Sequence, residues 1–115
     1  MHEMGIAQSV LDSVGEEMRR RPGAALRKIG LRIGEISSVD PESLSFAFEC
    51  LAPGTPCDSA HLVVETSPWR RRCPVCAREF RVENFQTGCP DCGSPDTTHV
   101  SGEEIEIAWL ELEQP

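Results

Sequence analysis

Cys73-Pro-Val-Cys76 and Cys89-Pro-Asp-Cys92 are two pairs of thiols, with two residues inside each pair and twelve between the pairs. Two intervening residues let both sulfurs of a pair reach one ion while nearby backbone amides turn toward them. Two such turns facing each other complete a tetrahedral, all-sulfur shell. Pro74 and Pro90 pre-set the turns, and Gly93 suits the tight backbone after the last ligand. Zinc is the expected metal; a rubredoxin-like iron site would use the same donors. Four thiolates leave no position for water, so the site is structural rather than catalytic. Replacing Cys73 or Cys92 by alanine is expected to unfold this segment, because zinc binding there is also folding free energy.

A second set of donors lies at the start of the chain, Met1-His2-Glu3. Histidine is bulky, so the methionine is expected to stay after processing. The free amine, the intervening amide nitrogen and the His2 imidazole can then form fused chelate rings around one ion. The Glu3 amide or a side chain supplies a fourth donor. Planar nitrogen-rich sets suit Ni(II) and Cu(II), with copper favoured by intrinsic affinity. Protons compete for these donors, so binding should weaken as pH falls. Taken alone, the same residues read as an ordinary exposed terminus.

The elements that must position these groups are legible in the apolar periodicity. Ile6, Val10, Val14 and Met18, with Ala7 and Leu11, make one face of a helix from about Met4 to Arg21. Arg19, Arg20 and Arg21 complement its dipole, and Pro22-Gly23 stops it. Ile29, Leu31 and Ile33 alternate with Lys28, Gly30 and Arg32 as a strand. Asp40-Pro41-Glu42 opens a second helix carrying Leu44, Phe48 and Leu51, which Pro53-Gly54 ends. Leu62-Val63-Val64 reads as a second strand, running toward Thr66. Ile105, Ile107 and Trp109 form a third, and Leu110 and Leu112 break its alternation as a bulge or a sheet edge would. The expected fold is α+β: a small three-stranded sheet with two helices, plus an inserted four-cysteine zinc-ribbon module. Residues 1–67 and 98–115 form the α+β domain, and residues 68–97, poor in aliphatics, form the zinc-binding domain. An insert that returns the chain to the parent sheet is fixed at both ends.

Composition bounds the function. The chain has 115 residues, a net charge of -8 and six cysteines. The acidity argues against nucleic acid, whose binders carry basic patches. No apolar run approaches the ~20 residues of a membrane span, and the N-terminus lacks the pattern of a signal peptide, which points to the cytoplasm. Cysteines there are metal ligands before they are disulfides. No nucleophile constellation and no Gly-rich phosphate loop is present, so an enzyme is not expected. Cys50 is expected as a small buried residue on the second helix. Cys57 is expected as an incidental loop thiol, with contact to an exchangeable metal as the alternative, and His61 and His99 as structural or exposed residues.

Read together and in order, Met1-His2-Glu3-Met4 before an amphipathic helix, the stretch Ile29–Glu49, the two cysteine pairs, and Gly102-Glu103-Glu104-Ile105-Glu106-Ile107 resemble the hydrogenase nickel-incorporation accessory family, the HypA/HybF-type nickel metallochaperones. The resemblance covers essentially the whole chain. It implies transferable Ni(2+) at the N-terminus, with His2 carrying the side-chain ligand beside Met1 and Glu3. It implies structural Zn(2+) on Cys73, Cys76, Cys89 and Cys92. It implies a nickel-binding GTPase accessory protein and the hydrogenase large subunit as partners, with urease maturation in some members, and a monomer or homodimer. A flexible, solvent-facing terminus would suit a metal that must leave. The rival reading is a zinc-ribbon module for protein or nucleic-acid binding without nickel transfer. A small zinc enzyme would need an open coordination position that the ligand set does not offer.

Overall fold

The computed structural model describes residues 2–114. The elements, in order, are α1 (His2–Arg19), β1 (Ala25–Gly34), α2 (Pro41–Leu51), β2 (His61–Ser67), β3 (Arg70–Arg72), β4 (Glu79–Arg81), β5 (Thr98–Ser101) and β6 (Ile105–Glu113). They build two three-stranded sheets, ordered β2-β1-β6 and β4-β3-β5. The fold is α+β, as expected, with the four-cysteine segment in the second sheet.

α1 forms because its apolar residues fall on one stripe: Ala7, Val10, Leu11 and Val14 are buried. It begins at His2, two residues ahead of the expected start, and Glu3 in its first turn complements the helix dipole. α2 starts where the sequence places it. Asp40 is extended (φ -85, ψ 117) and its side chain accepts from the Ser43 amide at 3.3 Å. Such a cap stabilises a helix by about 1 kcal/mol. α2 buries Leu44, Ala47 and Phe48 and packs against α1 and β2.

β1 is the centre of the first sheet. It runs parallel to β2, joined through α2, and antiparallel to β6. Ile29, Leu31 and Ile33 are at most 1% exposed and form the main core with the helices. Burying each stabilises the fold by about 1.5–3 kcal/mol before entropy is counted. The break in alternation along β6 is a bulge: Gly30 pairs with Trp109 and Leu31 with Ile107, leaving Ala108 extra. The bulge keeps Ile105, Ile107, Leu110 and Leu112 on the helix side of the sheet.

The second sheet has its own small core of Cys73, Phe80, Val82 and Cys89, with Trp69 against it. β5 pairs with β3, so this sheet runs to Ser101, four residues beyond the boundary expected at 97. The four residues from Thr98 carry no strong apolar alternation; pairing with β3 makes them a strand.

The chain crosses between the sheets twice, and the two crossings lock together. Ser67 Oγ donates to Glu104 Oε2 at 2.7 Å, and the Gly102 amide donates to Glu104 Oε1. The Gly34 amide donates to the Glu104 carbonyl at 2.6 Å, and the Ile36 amide to the Gly102 carbonyl at 2.8 Å. Gly34 and Gly102 touch through their backbones: a Cβ on Gly34 would fall on the Gly102 carbonyl, and one on Gly102 would lie 2.8 Å from Trp69 Cα. Arg81, on β4, adds an ion pair to Glu35 at 2.8 Å.

Candidate metal centres

The four cysteines converge. Cys73 Sγ lies 3.6 Å from Cys92 Sγ, and Cys76 Sγ lies 3.6 Å from Cys89 Sγ. All four sulfurs lie within 4.8 Å of one another. A tetrahedron with metal–sulfur bonds of ~2.3 Å has edges of about 3.8 Å, so one zinc ion fits. Each pair sits on a tight loop. The Cys73 amide donates to the Arg78 carbonyl at 2.8 Å, and the Cys89 amide to the Ser94 carbonyl at 2.9 Å.

The two loops follow one plan with different residues at the same step. After Cys92, Gly93 takes φ 75; after Cys76, Ala77 takes φ 63. Glycine adopts this conformation freely, whereas an alanine there costs about 1 kcal/mol. The loop amides point at sulfur. Those of Cys92 and Asp91 hold the Cys89 thiol down at about 7. The Ser94 amide pulls Cys92 the same way, but its contact with the Cys73 thiol and desolvation outweigh it and push it up to about 11. Four sulfurs this close cannot all carry charge without a cation among them. Arg78 ion-pairs with Asp91 across the two loops and brings one positive charge beside the cluster.

The N-terminal donors are also placed, apart from Met1, which lies outside the described residues. His2 and Glu3 occupy the first turn of α1, a helical setting where the sequence suggested a flexible tail. First-turn amides have no intrahelical acceptor. The His2 side chain is 58% exposed and the Glu3 side chain 14%. His2 Nε2 stands 3.4 Å from Glu3 Oε2, and the same oxygen accepts the Asp40 amide at 3.5 Å. Glu3 thus lies between the imidazole and the residue that caps α2. In the sequence Asp40 shows only as a cap. A contact 37 residues away in the chain leaves no local signal.

The other candidates do not join either centre. Among the described residues, the four cysteines are the one group of three or more donors close enough to share an ion. His61 is exposed at the start of β2, and His99, exposed on β5, faces Glu103 at 3.9 Å. Cys50 is exposed on α2, against the expectation of burial, because α2 buries the stripe of Leu44, Ala47 and Phe48 instead. Cys57 is fully buried in the main core, and that burial pushes its thiol up.

Fold and site define a small α+β protein with four cysteines converged at one point. The chain belongs to the family described as "Hydrogenase/urease nickel incorporation, metallochaperone, hypA", whose model matches residues 1–112. It is 37% identical over 114 residues to the hydrogenase maturation factor HypA of Chlorobium luteolum, covering 99% of this chain and 97% of that protein. It is 40% identical over 116 residues to the HypA of Streptomyces avermitilis, covering 98% of this chain and 88% of that one. The fold matches a solution structure of a HypA protein with a TM-score of 0.77 at 22% identity, covering 100% of this chain and 98% of that one. It also matches the Ni metallochaperone HypA of Helicobacter pylori with a TM-score of 0.67 at 23% identity, over 98% of each chain. The family's role is nickel incorporation, not catalysis, in keeping with the sequence reading. The cysteine cluster fits a structural zinc site. Among the described residues, no helix is long and apolar enough to cross a membrane.

Proposed function

We propose that this chain binds Ni(II) at its N-terminus, through Met1 and His2 with Glu3 beside them, and hands it on for maturation of [NiFe]-hydrogenase. Zinc on Cys73, Cys76, Cys89 and Cys92 stays bound and holds the second sheet together. One observation carries the nickel reading: an exposed imidazole stands in a first helical turn, where amides have no intrahelical acceptor, in a member of a nickel-incorporation family. A planar nickel complex there is open above and below the donor plane, so incoming ligands can attack and take the metal. The four-thiolate shell offers no such opening. One chain then carries a cargo metal and a resident one. A nickel-binding GTPase and the hydrogenase large subunit are the partners this reading calls for, and the family description extends it to urease. A site in the cytoplasm accords with it.

The test is calorimetric nickel titration of the untagged, zinc-loaded chain, beside His2→Ala and a version with residues added before Met1. Stoichiometric binding to the native chain that vanishes in both variants, with zinc unchanged, is the expected result. Equal binding in all three would move the site elsewhere and favour the zinc-ribbon module.

A further inference from the structure

Three strands of the first sheet carry only two helices. On the side they face, Ile105 and Ile107 of β6 remain 46% and 37% exposed, while Ile33 and Leu31, their partners in register on β1, are 1% exposed. A groove of about 480 Å³ runs beside them, between β6 and α1, past Ile6 and Gly5 to His2. β6 is also an edge of the sheet, hydrogen-bonded only to β1 among the described residues. Its outer row of amides and carbonyls is available to another chain.

The opposite face of the sheet supplies the chemistry of a partner. Charge alternates from strand to strand there. Glu65 of β2, Arg32 of β1 and Glu106 of β6 stand in one register row, with Arg32 Nη1 2.7 Å from Glu106 Oε1. Lys28 stands opposite Glu111, and Arg27 pairs with Glu113. The charged side chains that the edge strand shows on this face are therefore all carboxylates, Glu106, Glu111 and Glu113; between them Trp109 lies over Gly30 and donates through Nε1 to Glu65 at 3.1 Å.

We propose that β6 is a docking edge for an extended segment of another protein, one in which basic and apolar residues alternate. Added as a fourth strand, its basic side chains continue the ladder against Glu106, Glu111 and Glu113. Its apolar side chains, on the helix side, cover Ile105 and Ile107 and lean into the groove. A second copy of this chain fits poorly, since β6 against β6 sets glutamate against glutamate. The bulge at Ala108 divides the edge into two short stretches, so only a segment matching both binds along its whole length. The groove ends at His2, which brings the docked segment to the N-terminal donors. That consequence alone rests on the nickel reading; the docking does not.

The test uses the zinc-loaded full chain without nickel and a labelled ten-residue peptide alternating lysine with valine and isoleucine. Anisotropy reads affinity, and amide chemical shifts locate the site. Saturable binding is expected, with shifts along β6. Glu111→Lys should weaken it about three- to tenfold, the scale of one reversed cross-strand charge pair, and strengthen binding of the glutamate-bearing counterpart. N-methylating alternate residues on one peptide edge should abolish binding, and on the other edge should leave it. No saturable binding, shifts away from β6, or indifference to Glu111→Lys would overturn the proposal. Equal loss with both methylated peptides would mean a helix in the groove, and a dimer dissociated by Ile107→Asp would mean a second copy. Either would overturn the strand-addition reading. Nickel titration is a separate measurement, so neither failure can be mistaken for the other.

Discussion

Gly34→Ala would place a methyl group where the two sheets join. The added Cβ falls on the Gly102 carbonyl group and close to the Glu103 nitrogen, which are backbone atoms and cannot rotate aside. The exit segment must shift, and two backbone hydrogen bonds break with it: Gly34 to Glu104 at 2.6 Å and Ile36 to Gly102 at 2.8 Å. Each contributes about 0.5–1.5 kcal/mol, and the charge-assisted bond from Ser67 to Glu104, which loosens with them, contributes about 1.5–3 kcal/mol. Alanine restricts the unfolded chain and returns about 0.4–1 kcal/mol. The net expectation is a loss of about 2–4 kcal/mol, a large part of the roughly 5–15 kcal/mol that holds a small domain. Urea unfolding of zinc-loaded protein at neutral pH, followed by circular dichroism, measures it, and atomic absorption counts the zinc. Gly5→Ala is the control: nothing lies within 4 Å of its added Cβ, so alanine in α1 should add up to about 1 kcal/mol. A Gly34→Ala chain as stable as the native one would refute the tight junction. Zinc is expected to stay bound, because the loops carrying the four cysteines close on their own backbone hydrogen bonds, Cys73 to Arg78 and Cys89 to Ser94, away from Gly34.

Glu104 gives that junction a pH signature. The Ser67 hydroxyl, then the Gly102 amide, hold its carboxyl down at about 2. A folded-state value below the unfolded one means stability fully present above about pH 4.5 and lost as pH falls toward 2. Glu104→Gln should cost about 1–3 kcal/mol at neutral pH, and its deficit against the native chain should shrink across that window. A deficit constant from pH 6 to pH 3 would show that the charge is irrelevant; subtracting the two proteins cancels the zinc release they share. Ala77→Gly should raise stability by about 0.5–1 kcal/mol by relieving the positive φ in the first knuckle, as denaturant midpoints would record. Among the thiols of the zinc-loaded protein, exposed Cys50 should react with an alkylating reagent in minutes and buried Cys57 only on unfolding, which mass spectrometry of the labelled peptides distinguishes.

What could be read beforehand followed the range of the forces involved. The cysteine pairs, the Asp40 cap and the stripe of α1 are set by neighbours a few residues away, and local spacing shows them. The broken alternation at Leu110 and Leu112 announced an irregularity, and pairing with β1 resolved it as a bulge at Ala108. Burial of Cys57 had no such signal. Its loop reads as Pro and Gly punctuation, and only the packed core shows that the thiol points inward. Glu3 meeting Asp40, and Glu104 meeting Ser67, join residues 37 positions apart, a distance at which one sequence is silent.

The order of the strands bears on when the chain can finish folding. β1 emerges early and lies in the middle of its sheet, yet one of its two neighbours is the last strand made. Gly34 and Ile105 are separated by about 70 residues, and closing so long a loop is slow and entropically costly. The cysteine cluster lies inside that loop. An ion bound there ties its middle into a compact knot and shortens the stretch still to be closed. Each halving of the free length saves about 0.6 kcal/mol. Zinc supply would then bear on the rate at which newly made chains close the first sheet.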